Sequence, residues 1–324
     1  GMSRSSRNGI VVKTGTTIEK LARAKSVAFD KTGTLTEGKL SVDTIHPTSK
    51  DYSKEALIAY AASGEQESSH ILARSLVAYA KDQKMTLYPV SELEEVTGQG
   101  IQAIVEGKKI RVGKAAFAGS AVSLSKEKTA VFVSIEGESI GYITFTDVVR
   151  KESADTIKAL TELGIKKTIM LTGDHQVIAD QIAREVGITE VHAECLPEEK
   201  INVIKTLSEA DRPGIMVGDG VNDAPALAVA DIGIAMGAHG STAASESADA
   251  VILKDDLSRV SEAVRLSQDT MRIARQSVLI GIVICVILML IASTGVIPAL
   301  LGAALQEVID TVSILSALRA RKDN

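Results

Sequence analysis

Three short stretches of this 324-residue sequence set carboxylates where they could do chemistry. Asp30-Lys31-Thr32-Gly33-Thr34-Leu35-Thr36 follows the apolar run Ser26-Val27-Ala28-Phe29, Thr172-Gly173-Asp174 follows Thr168 to Leu171, and Gly218-Asp219-Gly220 follows Gly214 to Val217. A carboxylate can attack a phosphoryl group and form an acyl phosphate, dividing a difficult transfer into two steps. Two anions must meet in that reaction, so cations have to stand close by. A lone Asp after a strand is more often a helix cap, so the case depends on the three stretches meeting.

The elements around them predict that they do. From Arg150 onward, helices alternate with short apolar strands: helix Ser153 to Leu163, strand Thr168 to Leu171, a helix to Val186, a short strand near Val191, helix Pro197 to Leu207, strand Gly214 to Val217, then Ile232 to Met236 and Ala250 to Leu253. Ser26 to Phe29 reads as a further buried strand. This alternation implies an α/β fold with a doubly wound parallel sheet. Ligands of such sheets sit beyond the carboxyl ends of the strands, where Asp30, Asp174 and Asp219 all fall. Between Leu40 and Arg150 the pattern changes: helical periodicity at Glu55 to Ala62 and Ile71 to Ala80, then hairpins turning at Glu106-Gly107-Lys108 and Glu136-Gly137-Glu138.

Hydrophobic residues make up 45% and charged residues 24%, enough for a packed core in two or three domains,. A net charge of −5 with no basic groove gives no sign of nucleic-acid binding,. The two cysteines, Cys195 and Cys285, show no ligand spacing and read as free thiols,. No apolar run follows the N-terminal GMSRSSRNG, so it is no signal peptide. Gly1 ahead of Met2 reads as a tag-cleavage remnant on a piece of a longer protein. Val278 to Ala292 is almost wholly apolar, and extending it to Ile273 through Thr294 reaches the about 20 residues that span a bilayer. Gly295 to Leu318 is mostly apolar but carries Gln306, Glu307 and Asp310. Two spanning helices with both ends cytoplasmic, flanked by Arg272, Arg275, Arg319, Arg321 and Lys322, are expected. A buried helical hairpin in a soluble domain is the alternative.

The Asp30 to Thr36 heptapeptide matches the phosphorylation motif of P-type ATPases, whose catalytic domain belongs to the haloacid dehalogenase superfamily. Thr172-Gly173-Asp174 and Gly218-Asp219-Gly220-Val221-Asn222-Asp223 resemble the second and third motifs, in the right order. The resemblance implies that Asp30 takes the phosphoryl group of ATP, beside Lys31. It implies Mg²⁺ held by Asp30, the Thr32 carbonyl and Asp219, supported by Asp223. Lys200 matches the family's lysine on the phosphoryl oxygens, with Thr172, Gly173 and the Thr32 amide beside it. Asn222 belongs to the third motif, and Asp174 is expected to orient the loop or the nucleotide. Phosphatases of the superfamily usually carry a second Asp two residues after the nucleophile; here that residue is Thr32, which implies slow hydrolysis of the acyl phosphate.

The segment from Val42 to Ala121 resembles the nucleotide-binding domain of heavy-metal-transporting, type IB, P-type ATPases. Glu67-Ser68-Ser69-His70 matches its helix-start motif, with Ile71 in place of the family's Pro. Gly98-Gln99-Gly100 matches its Gly-x-Gly loop, and Gly113-Lys114 stands where Gly-Asn is common. Adenine recognition by Glu67 and His70 is expected, with phosphates near Gly98 and Gly100; Gly113 and Lys114 lie nearby, though Lys114 reads equally as a solvated side chain. The expected domains are a phosphorylation domain (1–41 and 122–265), the nucleotide-binding domain (42–121) and two membrane helices (266–324). Glu307 and Asp310 share one helix face and are candidate ligands of a transported heavy-metal ion; the alternative is that they are solvated at the interface. The resemblance further implies partners in the lipid bilayer, an actuator domain and additional membrane helices, a plasma-membrane location and cytoplasmic catalytic domains. A haloacid dehalogenase-type phosphatase and a non-catalytic nucleotide-binding subunit are the other readings.

Overall fold

The computed structural model describes residues 8–124, 128–220, 222–237, 246–293 and 307. Two compact units emerge: Gly1–Leu35 together with Arg150–Asn324, and Thr36–Val149.

The first unit opens with β1 (Ile10–Val12), α1 (Gly15–Arg23) and β2 (Ser26–Asp30). Thr14 starts α1 by accepting a hydrogen bond from the Thr17 amide at 3.2 Å,. Every residue of β2 is buried, as befits a central parallel strand covered on both faces. The turn Lys31–Leu35 follows.

The chain then builds the second unit from β3 (Thr36–Pro47), α2 (Lys54–Gly64), α3 (Ile71–Asp82), β4 (Val90–Val96), β5 (Gly100–Val105), β6 (Lys108–Gly113), β7 (Thr129–Ile135) and β8 (Glu138–Val149). The strands form one antiparallel sheet in the order β3-β8-β7-β6-β5-β4. Its core joins Leu57, Ile58 and Ala61 of α2 to Leu76 of α3 and to Ile110, Val133 and Ile143 of the sheet. Both expected hairpins are present. The β7–β8 hairpin belongs to this sheet, pairing Val112 with Val133 and Val42 with Phe145. The sheet therefore runs to Val149, past the Ala121 boundary read from the sequence. Without β7, β6 would present an unpaired edge.

Back in the first unit come α4 (Ser153–Glu162), β9 (Lys167–Leu171), α5 (Gln176–Val186), β10 (Glu190–His192), α6 (Pro197–Lys205), β11 (Gly214–Gly218), α7 (Ala224–Val229), β12 (Ile232–Met236), β13 (Ala250–Ile252) and α8 (Ser258–Ser293). The seven strands follow the order β1-β13-β12-β11-β2-β9-β10, all parallel except β1 against β13. The α/β fold with a parallel sheet is therefore present as expected. Ala28, Ile169, Met216 and Ala235 pack beneath Ile204 and Leu227 on one face.

Helix α8 changes character along its length. Its first turns bury Val260, Ala263, Val264 and Leu266 and pack on α1 and α4. From Val278 to Ile291 most of its large apolar side chains lie exposed, Met289 by 71%, while Ile284 and Leu288 are half-buried. Among the described residues it is the one helix long and apolar enough to cross a membrane. The second expected span, Gly295 to Leu318, lies outside the described residues apart from Glu307.

Candidate active site

Strands β11, β2 and β9 are neighbours, with Val217 beside Phe29 and Asp30 beside Leu171. Their carboxyl ends bring Asp30, Thr172-Gly173-Asp174 and Asp219 to one rim of the sheet. Past Asp30 the chain reverses through Thr32 (φ −75°, ψ 127°) and Gly33 (φ 76°, ψ −10°), the dihedrals of a type II turn, which calls for Gly at its second central position. Gly33 has a second reason to be glycine: a Cβ there would lie 2.6 Å from Asp219 Oδ2.

Lys200 reaches this rim from α6. Leu196 N donates to Glu199 Oε2 at 2.7 Å, fixing the helix start,, and one turn in, Lys200 Nζ donates to Asp30 Oδ1 and, at 3.3 Å, to Asp223 Oδ1. Burial pushes the Asp30 carboxyl up to about 6, helped by the charges of Asp223 and Asp219 and opposed by Lys200,. Asp223 is also raised, by burial first and by Asp219, again against Lys200. For Lys200, burial acts to lower the ammonium pKa, yet Asp30 and Asp223 outweigh it and the net shift is upward.

Lys31, 3% exposed, places Nζ 2.5 Å from Asp174 Oδ2. Thr172 is buried and its Oγ1 accepts from the Asp174 amide at 3.1 Å. Asp174 thus holds the residue next to Asp30. Thr32, Gly173 and Asn222 are exposed, and Asp219 is half-buried.

The rim offers hard oxygen donors suited to Mg²⁺. Asp223 Oδ2 is buried without a hydrogen-bond partner, and the close approach of Gly33 to Asp219 makes a cradle that a Cβ would fill. Among the described residues, no three His, Cys, Asp or Glu side chains converge as a ready-made metal cluster, so a cation here would draw on backbone and substrate oxygens too. The residues fit the ion on those terms.

In the second unit, His70 is the N-cap of α3, its Nδ1 accepting from the Leu72 amide at 3.3 Å. His70, Glu67 and Lys114 are exposed. Gly98 has φ +69°, and Gly100 faces Gly113 across β5 and β6 so closely that a Cβ on Gly100 would lie 2.1 Å from Val112 O. Strand packing alone therefore requires glycine at both positions. Lys114 N donates to Gln99 O at 2.8 Å, tying the two loops together. One carboxyl escaped the sequence reading. Glu65 is 7% exposed and is pushed up to about 7 by burial, with a hydrogen bond to Ser68 opposing and the charge of Glu95 adding. The signal for it was present: an unbroken buried run from Leu57 to Gly64 leads into it. Glu307 is described only as an exposed helical residue, and Asp310 lies outside the described residues.

A carboxylate, a lysine and a glycine turn thus meet at the rim of a parallel sheet, and residues 24–231 match the family model of haloacid dehalogenase-like hydrolases: the chain belongs to that family. It is 40% identical over 299 residues to a zinc-transporting ATPase of Bacillus subtilis, covering 89% of this chain and 46% of the relative. It is 34% identical over 331 residues to a manganese-exporting P-type ATPase of Mycobacterium tuberculosis, covering 98% and 46%. A crystal structure of a zinc-transporting PIB-type ATPase in its E2.Pi state superposes with a TM-score of 0.87 at 32% identity, over 99% of this chain and 54% of that one. The chain is thus homologous to the catalytic portion of heavy-metal P-type ATPases and spans about half the length of the curated relatives it matches.

Proposed function

We propose that this chain is the ATP-binding and phosphoryl-accepting half of a heavy-metal cation-transporting P-type ATPase. The observation that carries the reading is Lys200, which lies between Asp30 and Asp223 at the carboxyl ends of adjoining strands. With its carboxyl at about 6, Asp30 is mostly anionic at neutral pH. One Asp30 oxygen attacks the γ-phosphorus of ATP, the bond to the β–γ bridging oxygen breaks, ADP leaves, and an acyl phosphate forms on Asp30. Lys200 then turns its protons toward the phosphoryl oxygens, with Thr172 and the amides of Thr32 and Gly173 beside it. Asp30, the Thr32 carbonyl and Asp219 would hold Mg²⁺ with Asp223 behind them; when bound, the ion neutralises charge between the two anions. Thr32 supplies no general base, so the acyl phosphate persists.

Adenine is held in the second unit by His70 and a carboxyl, with Gly98, Gly100 and Gly113 admitting the phosphates. Glu67 was the expected carboxyl, but buried Glu65 is the better donor near neutral pH, because its raised pKa keeps a proton available,. In the whole pump, α8 crosses the plasma membrane and both units lie on the cytoplasmic side. An actuator domain and further helices complete the machine, and Glu307 and Asp310 are the candidate ligands of a heavy-metal ion such as zinc or manganese.

Labelled ATP with Mg²⁺ should give an acid-stable, hydroxylamine-sensitive phosphoprotein that Asp30→Asn abolishes. Rapid release of phosphate from small esters, with no such intermediate, would favour a phosphatase instead.

A further inference from the structure

Arg150 is a buried cation, 7% exposed, that no motif singles out. It is the first residue of the first unit after β8. Its Nη2 donates to Gly33 O at 3.0 Å and to Asp255 Oδ1 at 2.6 Å. Its amide donates to Leu35 O at 3.0 Å, and Ser153 Oγ adds a second bond to that carbonyl at 2.9 Å. On the other side, Arg150 Nη1 lies 3.9 Å from Glu152 Oε1, and that oxygen accepts from Leu257 N at 3.3 Å. Helix α8 starts at the next residue, Ser258.

One guanidinium thus ties the nucleophile's turn to the root of the apolar helix. The Gly33 carbonyl is set by the same dihedrals that bring Gly33 against Asp219. Any rotation of that peptide pulls the acceptor away from Arg150. A buried guanidinium does not lose a partner cheaply, so the movement is passed to Asp255 and Leu257. We infer that Arg150 is a positioning residue that couples the conformation of the Lys31–Leu35 turn to the Asp255–Leu257 root of α8. Its role in a phosphorylation cycle rests on the function proposed above; the coupling itself does not.

Hydrogen exchange on the full chain in detergent, without ligand, tests the coupling. Asp255 is exposed and lies outside the catalytic rim, and Asp255→Asn removes the charge while keeping an Oδ1 acceptor for Arg150. The variant should weaken the link and still fold, which a melting curve checks. It should accelerate exchange of the Lys31–Thr36 amides by about fivefold or more, the usual scale of coupling between sites. Arg150→Met should accelerate both Lys31–Thr36 and the first turn of α8, and Arg150→Lys, which keeps the charge but not the fork, should not restore protection. Unchanged exchange at Lys31–Thr36 in Asp255→Asn overturns the inference, as does a uniform rise across β9 and β11 in Arg150→Met, which marks a purely structural role. Adding Mg²⁺ and beryllium fluoride, a mimic of the acyl phosphate, separates the two readings. Protection at Lys31–Thr36 alone leaves the active site standing and removes the link; no protection anywhere counts against the active site and leaves the ligand-free result to decide the link.

Discussion

Lys31 Nζ and Asp174 Oδ2 stand 2.5 Å apart, joining the turn after β2 to the loop after β9. The two strands are hydrogen-bonded neighbours, so the pair locks together two loops that the sheet has already brought alongside. Lys31 is almost fully buried while Asp174 keeps about a third of its side chain exposed. Removing the carboxylate leaves a buried ammonium with less compensation. Asp174→Asn should lower stability by about 1–3 kcal/mol, discounted for the exposed partner, and cut phosphoenzyme formation at least tenfold. Thermal melts and labelling of the same preparation check both.

Lys200 keeps Asp30 more acidic than its burial and its acidic neighbours would otherwise allow. Lys200→Met should therefore move the Asp30 carboxyl further up and shift the acid limb of phosphoenzyme formation toward higher pH. The yield at pH 7 should fall about a hundredfold or more, the scale of losing one charge-stabilising donor. Lys200→Arg should not rescue it, because a planar fork does not replace a point charge between two carboxylates. A pH series of labelling, wild type against both variants, reads the shift.

Glu65 links stability of the chain to pH. Its folded-state pKa is raised from 4.5 to about 7. Its contribution is therefore fully present below the unfolded value, and it is lost as pH rises through about 7. The loss amounts to at most about 3 kcal/mol, at 1.36 kcal/mol per unit. Glu65→Gln should flatten this dependence, gaining stability over wild type at pH 8 and little at pH 5. Melting curves at the two pH values are sufficient. Weaker ATP binding in the same variant would support Glu65 as the adenine carboxyl.

The exposed apolar face from Val278 to Ile291 should bind the chain to lipid. The full chain should float with phospholipid vesicles. A version ending at Gln276 keeps the packed turns of α8 and should stay soluble and fold with the same melting behaviour. Flotation of the shortened version would show that another surface binds lipid.

Much of the rim was legible because its chemistry is local. Asp30, Asp174 and Asp219 each follow a short apolar strand, and the parallel sheet aligns strand ends without further information. The partners chosen by long side chains were not legible. Lys31 reaches Asp174, 143 positions further along the sequence, only because β2 and β9 pair. Arg150 stands after Val148-Val149 with no motif to mark it, yet it lies buried and bonded to Gly33 and Asp255. Glu65 and Glu67 are alike in type, and only the packing of α2 separates the buried one from the exposed one. The reach of the second sheet to Val149 was missed because a hairpin shows its own pairing in sequence but not which sheet receives it.

Helix α8 is unbroken over 36 residues, so at about 1.5 Å per residue it is a rod of roughly 54 Å. Its fully buried large side chains, Val260 to Leu266, lie near its start, where it packs on α1 and α4; toward Ile291 most of its large apolar side chains are exposed. A pivot of about 5° at the packed turns would sweep the far end by roughly 3 Å, on helix dimensions alone. Through the link inferred for Arg150, a bond made or broken beside Asp255 would thus be magnified along the length of the helix.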